Sequence, residues 1–169
     1  MPKPFAHGYT QVEFNNVVSE IDASIANPVH PLIAAVSTLP DLKILAEAVG
    51  TGSLLSKESF QRMQEWQKTP WQTEKMHWGL SMKFDNGWIT PMVGPQVGYD
   101  AVVAYLRKEK VILVCLTNTD TYAEKNDQKI SPAQFISREI ARILDLPLME
   151  EGISSAKDYG GPTEKGKSH

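Results

Sequence analysis

The side chains of this sequence that could carry out chemistry are few and scattered. The single cysteine, Cys115, lies inside an apolar run over residues 111–116. One thiol excludes an internal disulfide and a metal site built from several cysteines. A nucleophilic thiol needs a neighbouring base, and no histidine lies near Cys115 in the sequence. The pattern therefore predicts a buried, unreactive thiol.

Histidines and carboxylates give no stronger signal. No pair of histidines has the i, i+4 spacing of metal ligands on a helix. Acidic residues at 120, 124 and 127 fall in a polar loop, where a solvated surface is expected and a weak cation site is the alternative. The sequence thus predicts no metal site and no cofactor. The histidines are His7, His30, His77 and His169, and the loop acids are Asp120, Glu124 and Asp127.

The tryptophans offer a different kind of site. Four large aromatic side chains could line a cleft, and packing in a core explains them equally well. They are Trp66, Trp71, Trp78 and Trp88.

Length and charge limit the class of protein. The chain has 169 residues, 41% of them hydrophobic, which fits one globular domain. A net charge of −3 does not indicate the basic surface that binding to nucleic acid or an anionic membrane requires. No stretch reaches the roughly 18 apolar residues of a membrane span. Because no signal-peptide core follows Met1, the chain as written is expected in the cytoplasm.

Helix signals come first along the chain. Residues 1–30 are polar and give no clear element. Thr38 is a candidate N-cap with Asp41 three residues on, and Gly50 and Gly52 end that helix. A second helix is predicted after a cap at Ser56, ending at the proline at position 70.

Strand signals follow. Residues 78–84 and 88–93 flank Asn86-Gly87, a pair that favours a hairpin turn. Residues 99–106 and 111–117 are near-continuously apolar, which predicts burial on both faces. Residues 120–129 read as a polar loop.

A closing helix is predicted after Ser131, its N-cap, with Pro132 at the first position. Its apolar residues share one face, which is expected to lie on the sheet. The fold class predicted is α/β, of the α+β type, with an antiparallel sheet, flanking helices and this closing helix. Residues 1–150 form the domain, and residues 151–169 are expected to be a disordered tail. The apolar face comprises Phe135, Ile136, Ile140, Ile143 and Leu144.

Six short segments of the chain resemble segments of one known family. They are His7-Gly8-Tyr9, the run from Ala34 to Leu42, Gly52 to Ser56, His77 to Leu80, Gly94 to Tyr99, and Leu116 to Thr119. Their order and spacing are similar to those in the C-terminal half of the β-lactamase-related serine hydrolases, which include D-alanyl-D-alanine carboxypeptidases, class C β-lactamases and esterases. The resemblance implies part of a β-lactamase/transpeptidase-like fold, in a family whose members are often secreted or periplasmic.

The resemblance also identifies a candidate substrate-cleft strand. Its family motif reads Lys or His, then Thr or Ser, then Gly, where this chain has Met92, Val93 and Gly94. Methionine carries no charge for a substrate carboxylate, and valine donates no hydroxyl hydrogen bond. The next position, an oxyanion-hole donor in the family, is Pro95, which has no N–H, unless the alignment is off by one residue. Tyr99 completes the motif.

A nucleophile is not placed by the resemblance. The family uses the serine of a Ser-x-x-Lys motif, with a tyrosine from a second motif, and both precede the matched segment. The one such string here runs from Ser154 to Lys157, in the predicted tail, where nothing would hold a serine rigidly beside its base. No catalytic residue is therefore assigned, and whether this chain is an enzyme stays open.

Three interpretations follow. The first is a truncated or non-catalytic member of the family that binds or interacts. The second is a segment of an acyl-transferring hydrolase, acting on an ester, amide or lactam, whose Ser-x-x-Lys lies on another chain or in a longer parent. The third is an unrelated small binding module. In the resembled fold, two N-terminal strands pair with the last strand of the C-terminal part, and the matched segments do not include them. Residues 111–117 would then be an unpaired apolar edge, and the partner expected there is a second copy or a complementary N-terminal fragment.

Overall fold

A five-stranded antiparallel sheet forms the centre of the computed structural model, which describes residues 6–14, 17–22, 37–67, 76–91, 98–121, 123–125 and 128–149. Each strand of this sheet pairs with the strand that follows it along the chain. This meander with its helices is an α+β fold, as predicted. The strands are β3 (Met76–Gly79), β4 (Met82–Asp85), β5 (Trp88–Pro91), β6 (Asp100–Leu106) and β7 (Val111–Thr117).

Two separate hairpins were not predicted. The first joins β1 (Tyr9–Phe14) to β2 (Val17–Asp22) in a stretch that gave no clear sequence signal. The second joins β8 (Ala123–Lys125) to β9 (Gln128–Ile130) within the segment read as a polar loop. The first hairpin does carry a partial alternation, with Val12 and Phe14 on one face of β1 and Val17 and Ile21 on the same face of β2, and the prediction overlooked it. The second hairpin has strands of three mostly polar residues, which are too short to show an alternating pattern.

Helix α1 (Leu39–Thr51) begins and ends as predicted. The hydroxyl of Thr38 accepts a hydrogen bond from the backbone N–H of Asp41 at 3.4 Å. Gly52 adopts the left-handed conformation, with a φ of 76°, and its N–H donates to the carbonyl of Ala48 at 2.9 Å. Gly50 faces the sheet, where a Cβ would overlap the ring of Tyr105.

Helix α2 (Lys57–Met63) starts at the predicted cap, Ser56, and is shorter than predicted. Gln67 and Trp78 exchange backbone hydrogen bonds of 2.7 and 3.1 Å beyond the end of this helix. The chain therefore leaves the helical path before reaching the proline at position 70, because its backbone is already paired with β3.

The single strand predicted over residues 78–84 is wrong. Leu80 and Ser81 form a turn between β3 and β4, and Ser81 has a φ of 57°. Gly79 permits this arrangement because a Cβ there would collide with the carbonyl of Met63 and lie 2.9 Å from the Trp66 ring. The hairpin turn predicted at Asn86-Gly87, between β4 and β5, is confirmed, since both residues have positive φ values, 47° and 96°.

Strands β6 and β7 differ in burial. They pair over their full lengths, from Asp100 opposite Thr117 to Leu106 opposite Val111. Six of the seven residues of β6 are buried, as predicted, whereas β7 has one buried residue, Leu113. The expectation of two buried faces is wrong for β7 because this strand lies at the edge of the sheet.

Helix α3 (Pro132–Ile143) closes the described fold and packs on β6 and β7. Its sheet-facing residues are small: Ala133, Ser137 and Ala141 are buried, which brings the helix axis close to the strands. The prediction that the large apolar face lies on the sheet is wrong. Those large side chains are exposed, and they are Phe135, Ile136, Ile140, Ile143 and Leu144.

The core lies between α3 and the sheet. Trp88 is its largest member, fully buried, with its indole N–H donating to the carbonyl of Pro147 at 2.7 Å. In the part of the chain that the structure describes, no helix is long and apolar enough to cross a membrane. The predicted tail, residues 151–169, lies outside the described residues. The other core residues are Val102, Ala104, Leu106, Leu113, Ala133 and Met149.

Candidate functional site

Three distant chain segments meet at one end of the sheet, and we call this meeting point the junction. It comprises residues 6–9, 98–99 and 118–120. The backbone N–H of Tyr9 points at two carbonyl oxygens, that of Asn118 at 2.8 Å and that of Gly98 at 3.2 Å. Tyr9 also forms a parallel bridge to Thr119. The start of β1 therefore sits where β6 begins and β7 ends.

Side chains reinforce the junction. The hydroxyl of Tyr99 donates to the carbonyl of Ala6 at 2.8 Å, across 93 residues of sequence. The amide nitrogen of Asn118 donates to the carbonyl of His7 at 2.9 Å. Both groups thus satisfy backbone carbonyls of an irregular segment, which fixes that segment in place.

Gly8 is required by the close approach at the junction. A Cβ on this buried residue would lie 2.5 Å from the ring of Tyr99 and 2.6 Å from the carbonyl oxygen of Gly98. Neither neighbour can move without breaking the hydrogen bonds just described. The three resemblance segments that contain His7-Gly8-Tyr9, Gly98-Tyr99 and Asn118-Thr119 are therefore packed against one another.

Asp120 has a structural part in the junction. Its carboxylate accepts a hydrogen bond of 3.0 Å from the backbone N–H of Gly98, the glycine with a φ of 81°. The expectation of a solvated loop is therefore wrong for this residue. The side chains of Glu124 and Asp127 lie outside the described residues. Nowhere in the described ranges do three or more His, Cys, Asp or Glu side chains come together as a group that could hold a metal ion.

Of the candidate substrate-cleft strand, the structure places Tyr99 alone. Tyr99 is half-buried at the junction. Met92, Val93, Gly94 and Pro95 lie outside the described residues, so their register stays a prediction. The residues that flank this stretch are Pro91, at the end of β5, and Gly98, just before β6. Because β5 and β6 are antiparallel, both flanks lie toward the same end of the sheet as the junction.

The thiol of Cys115 lies on the α3 side of β7 and is half-buried. Burial raises the pKa of this thiol above its ordinary value of 9.0, and the charge of Asp100 raises it further. The nearby hydroxyl of Ser137 acts in the opposite direction and is the smaller effect compared with burial. A thiol with a raised pKa is a poor nucleophile at neutral pH, which agrees with the unreactive role predicted.

The remaining candidate side chains separate into packing groups. Trp88 belongs to the core, as described above. Trp66 packs on Phe84 with ring centroids 5.7 Å apart, and His77 stacks on the same Phe84 ring at 6.3 Å. Trp78 is half-buried on β3. His7 is exposed at the junction. Trp71, His30 and His169 lie outside the described residues.

Sequence reasoning missed Asp100. This residue is 3% exposed, and its carboxylate accepts hydrogen bonds from the backbone N–H groups of Ala101 at 2.9 Å and Ala133 at 2.8 Å. The predicted cap, Ser131, makes no side-chain hydrogen bond to the helix. Asp100 therefore caps α3 from β6, although it precedes Ala133 by 33 residues in the sequence. No local sequence motif predicts a cap over that separation.

Comparison with known proteins supports the fold. No protein-family model matches the chain. No curated protein matches it either. Among solved structures, a D-stereospecific amidohydrolase from Streptomyces sp. superimposes with a TM-score of 0.58 at 22% sequence identity. The match covers 71% of this chain and 36% of that chain. The fold of this neighbour is β-lactamase-like, the fold that the resemblance predicted.

Proposed function

We propose that this chain is a non-catalytic member of the β-lactamase-related serine hydrolases, corresponding to the C-terminal part of their domain, and that it acts by binding or interaction. The junction is the observation that carries the proposal. Three of the segments quoted for the resemblance lie far apart in the sequence and contact one another at one end of the sheet. A chance resemblance of short motifs gives no reason for such contacts. The β-lactamase-like fold supports the same assignment.

The non-catalytic part of the proposal rests on the chemistry of the available groups. At the junction, the hydroxyl of Tyr99 and the amide of Asn118 are engaged with backbone carbonyls, which is a scaffolding role. At the cleft strand, Met92 and Val93 lack the charge and the hydroxyl that the family uses. Pro95 removes one oxyanion-hole donor, a loss that typically costs about 10²–10³ in rate.

The alternative is that the chain is a segment of an acyl-transferring hydrolase. The nucleophile would then come from another chain or from a longer parent, and the substrate would be an ester, amide or lactam. The same fold and the same junction support this alternative. The third interpretation, an unrelated binding module, loses support because β5, β6 and β7 form one antiparallel sheet in the order that the resemblance requires.

Active-site labelling tests whether this chain carries a nucleophile of its own. The chain is incubated with a fluorescent penicillin and, separately, with a fluorophosphonate, and an active serine hydrolase in the same reaction shows that the probes are competent. We expect no covalent label on this chain. The Ser154→Ala variant is the matched control, because it removes the one Ser-x-x-Lys serine in the sequence. Labelling of the original chain that disappears in Ser154→Ala would refute the non-catalytic proposal.

A further inference from the structure

The outer edge of β7 is apolar, and none of the other described strands pairs with it. Within the described residues, β7 pairs with β6 on one side, and no strand pairs with its other side. The edge has neither a charged residue nor a proline from Val111 to Thr117. Sheet edges are ordinarily protected by lysine, proline or a bulge, and β7 has none of the first two. An unprotected apolar edge favours pairing with a further strand.

The charges at the two ends of β7 are opposite. The turn before the strand carries three exposed basic residues and one acidic residue, Glu109. Asp120 follows the other end, where its half-buried carboxylate also accepts the hydrogen bond from the backbone N–H of Gly98. Two copies of the strand that pair in antiparallel fashion bring each basic end against an acidic end, whereas parallel pairing sets like charges together. The edge is therefore complementary to itself. The basic residues are Arg107, Lys108 and Lys110.

We propose that two copies of this chain associate through antiparallel pairing of β7, giving a continuous ten-stranded sheet. The register that places Lys108 opposite Asp120 of the second copy also places Val114 opposite its own counterpart. In the same register Ile112 faces Leu116, so apolar residues meet apolar residues along the strand. This proposal rests on the geometry of β7 and is independent of the hydrolase assignment.

Apolar surface is available on both faces of the proposed strand pair. On one face, the start of α1 and β7 line a groove formed by Leu39, Pro40, Lys43, Ile112 and Val114. Facing residues of antiparallel strands point to the same side of a sheet, so side chains of the second β7 extend the apolar surface beside this groove. On the other face, α3 packs on β7 and leaves large side chains exposed. These are Ile136, Ile140 and Ile143.

The first test is the oligomeric state by sedimentation velocity over a range of concentrations. We expect a dimer for the original chain. Leu116→Lys places a charge on the paired edge, where the side chain is 41% exposed and tolerates the change in a monomer, and it should weaken dimerisation by about tenfold or more. Leu80→Lys is the matched control, because Leu80 is 70% exposed in the turn before β4, and this variant should remain a dimer.

A wild-type chain that stays monomeric to sub-millimolar concentration overturns the proposal. So does a dimer that Leu116→Lys leaves intact while circular dichroism shows both variants folded. A monomer whose β7 edge captures a complementary fragment of a hydrolase domain, with no self-association, also contradicts it.

The second test addresses the register. In a Cys115→Ser background, Val114→Cys places two thiols directly opposite each other, and mild oxidation should give a disulfide-linked dimer by intact mass. Ile112→Cys in the same background is the control. Its two thiols would be offset by four residues along the pair, roughly 13 Å, which a disulfide cannot span. Crosslinking through Ile112→Cys, or none through Val114→Cys, contradicts this register.

Discussion

The carboxylate of Asp100, the first residue of β6, accepts a hydrogen bond of 2.8 Å from the backbone N–H of Ala133 in the first turn of α3. The helix N-terminus carries partial positive charge, so a buried carboxylate there stabilises both the helix and its attachment to the sheet. Ser131, the residue in the usual capping position, is buried with its hydroxyl unpartnered. A residue of β6 therefore supplies the N-terminal cap of α3 that the adjacent serine does not supply.

Replacing Asp100 should cost more than replacing Ser131. We expect Asp100→Ala to lower the free energy of unfolding by about 2 kcal/mol, because it removes a charged acceptor and leaves a buried N–H without a partner. Ser131→Ala should change the same quantity by less than about 0.5 kcal/mol, although a serine cap normally contributes more. Urea denaturation of both variants measures the difference. A larger loss for Ser131→Ala would show that the capping assignment is wrong.

At Gly50, helix propensity and packing predict opposite effects of a substitution by alanine. Alanine in place of glycine ordinarily stabilises a helix by up to about 1 kcal/mol. At this position a Cβ would overlap the ring of Tyr105, so Gly50→Ala should instead destabilise the fold by about 1–3 kcal/mol. Thr51→Ala, one residue further along α1 and exposed, should stay within about 0.5 kcal/mol of the original chain. Thermal unfolding measures the change in stability of the two variants. A Gly50→Ala variant more stable than the original chain would contradict the packing of α1 on β6.

The two faces of α3 should respond oppositely to substitution. Ala141 is fully buried against the sheet, so Ala141→Leu forces the helix outward and should cost about 1–3 kcal/mol of unfolding free energy. Ile143 is 72% exposed, so Ile143→Gln should change that free energy by less than about 0.5 kcal/mol. Chemical denaturation under identical conditions compares them. The reverse ranking would mean that the large apolar face lies on the sheet after all.

Cys115 gives a prediction about pH. Since burial raises the pKa of its thiol, alkylation by iodoacetamide should be slower in the folded chain than in urea at neutral pH, with its midpoint at a higher pH. The same shift affects stability: the contribution is complete below the unfolded-state pKa and is lost as pH rises through the folded-state value. Unfolding free energy should therefore fall above about pH 9 relative to a Cys115→Ser control. Equal pH profiles for the two chains would contradict this.

Local signals predicted the elements that local residues determine. Thr38 and Gly52 bound α1, and Asn86-Gly87 forms the turn before β5, because caps and tight turns depend on a few adjacent side chains. The strands β6 and β7 were predicted from apolar runs long enough to exclude a loop. The turn at Ser81 was missed, because a serine with positive φ carries no sequence signal of its own.

Tertiary relationships escaped prediction. The closing helix was placed correctly, yet hydrophobicity alone chose the wrong face, since the small side chains of Ala133, Ser137 and Ala141 allow the closer approach to the sheet. The junction was invisible as a contact, because Ala6 and Tyr99 are 93 residues apart. The motifs indicated which segments matter, and the structure shows that the side chains of Tyr99 and Asn118 hold the backbone of residues 6 and 7 in place.

Intact-mass analysis of the chain after incubation with an excess of fluorophosphonate tests the central claim most directly. Our account predicts a spectrum with the unmodified mass alone, while an active serine hydrolase in the same tube gains one phosphonyl group. A stoichiometric adduct on this chain, mapped by peptide sequencing to a serine, would contradict the account and establish a working nucleophile.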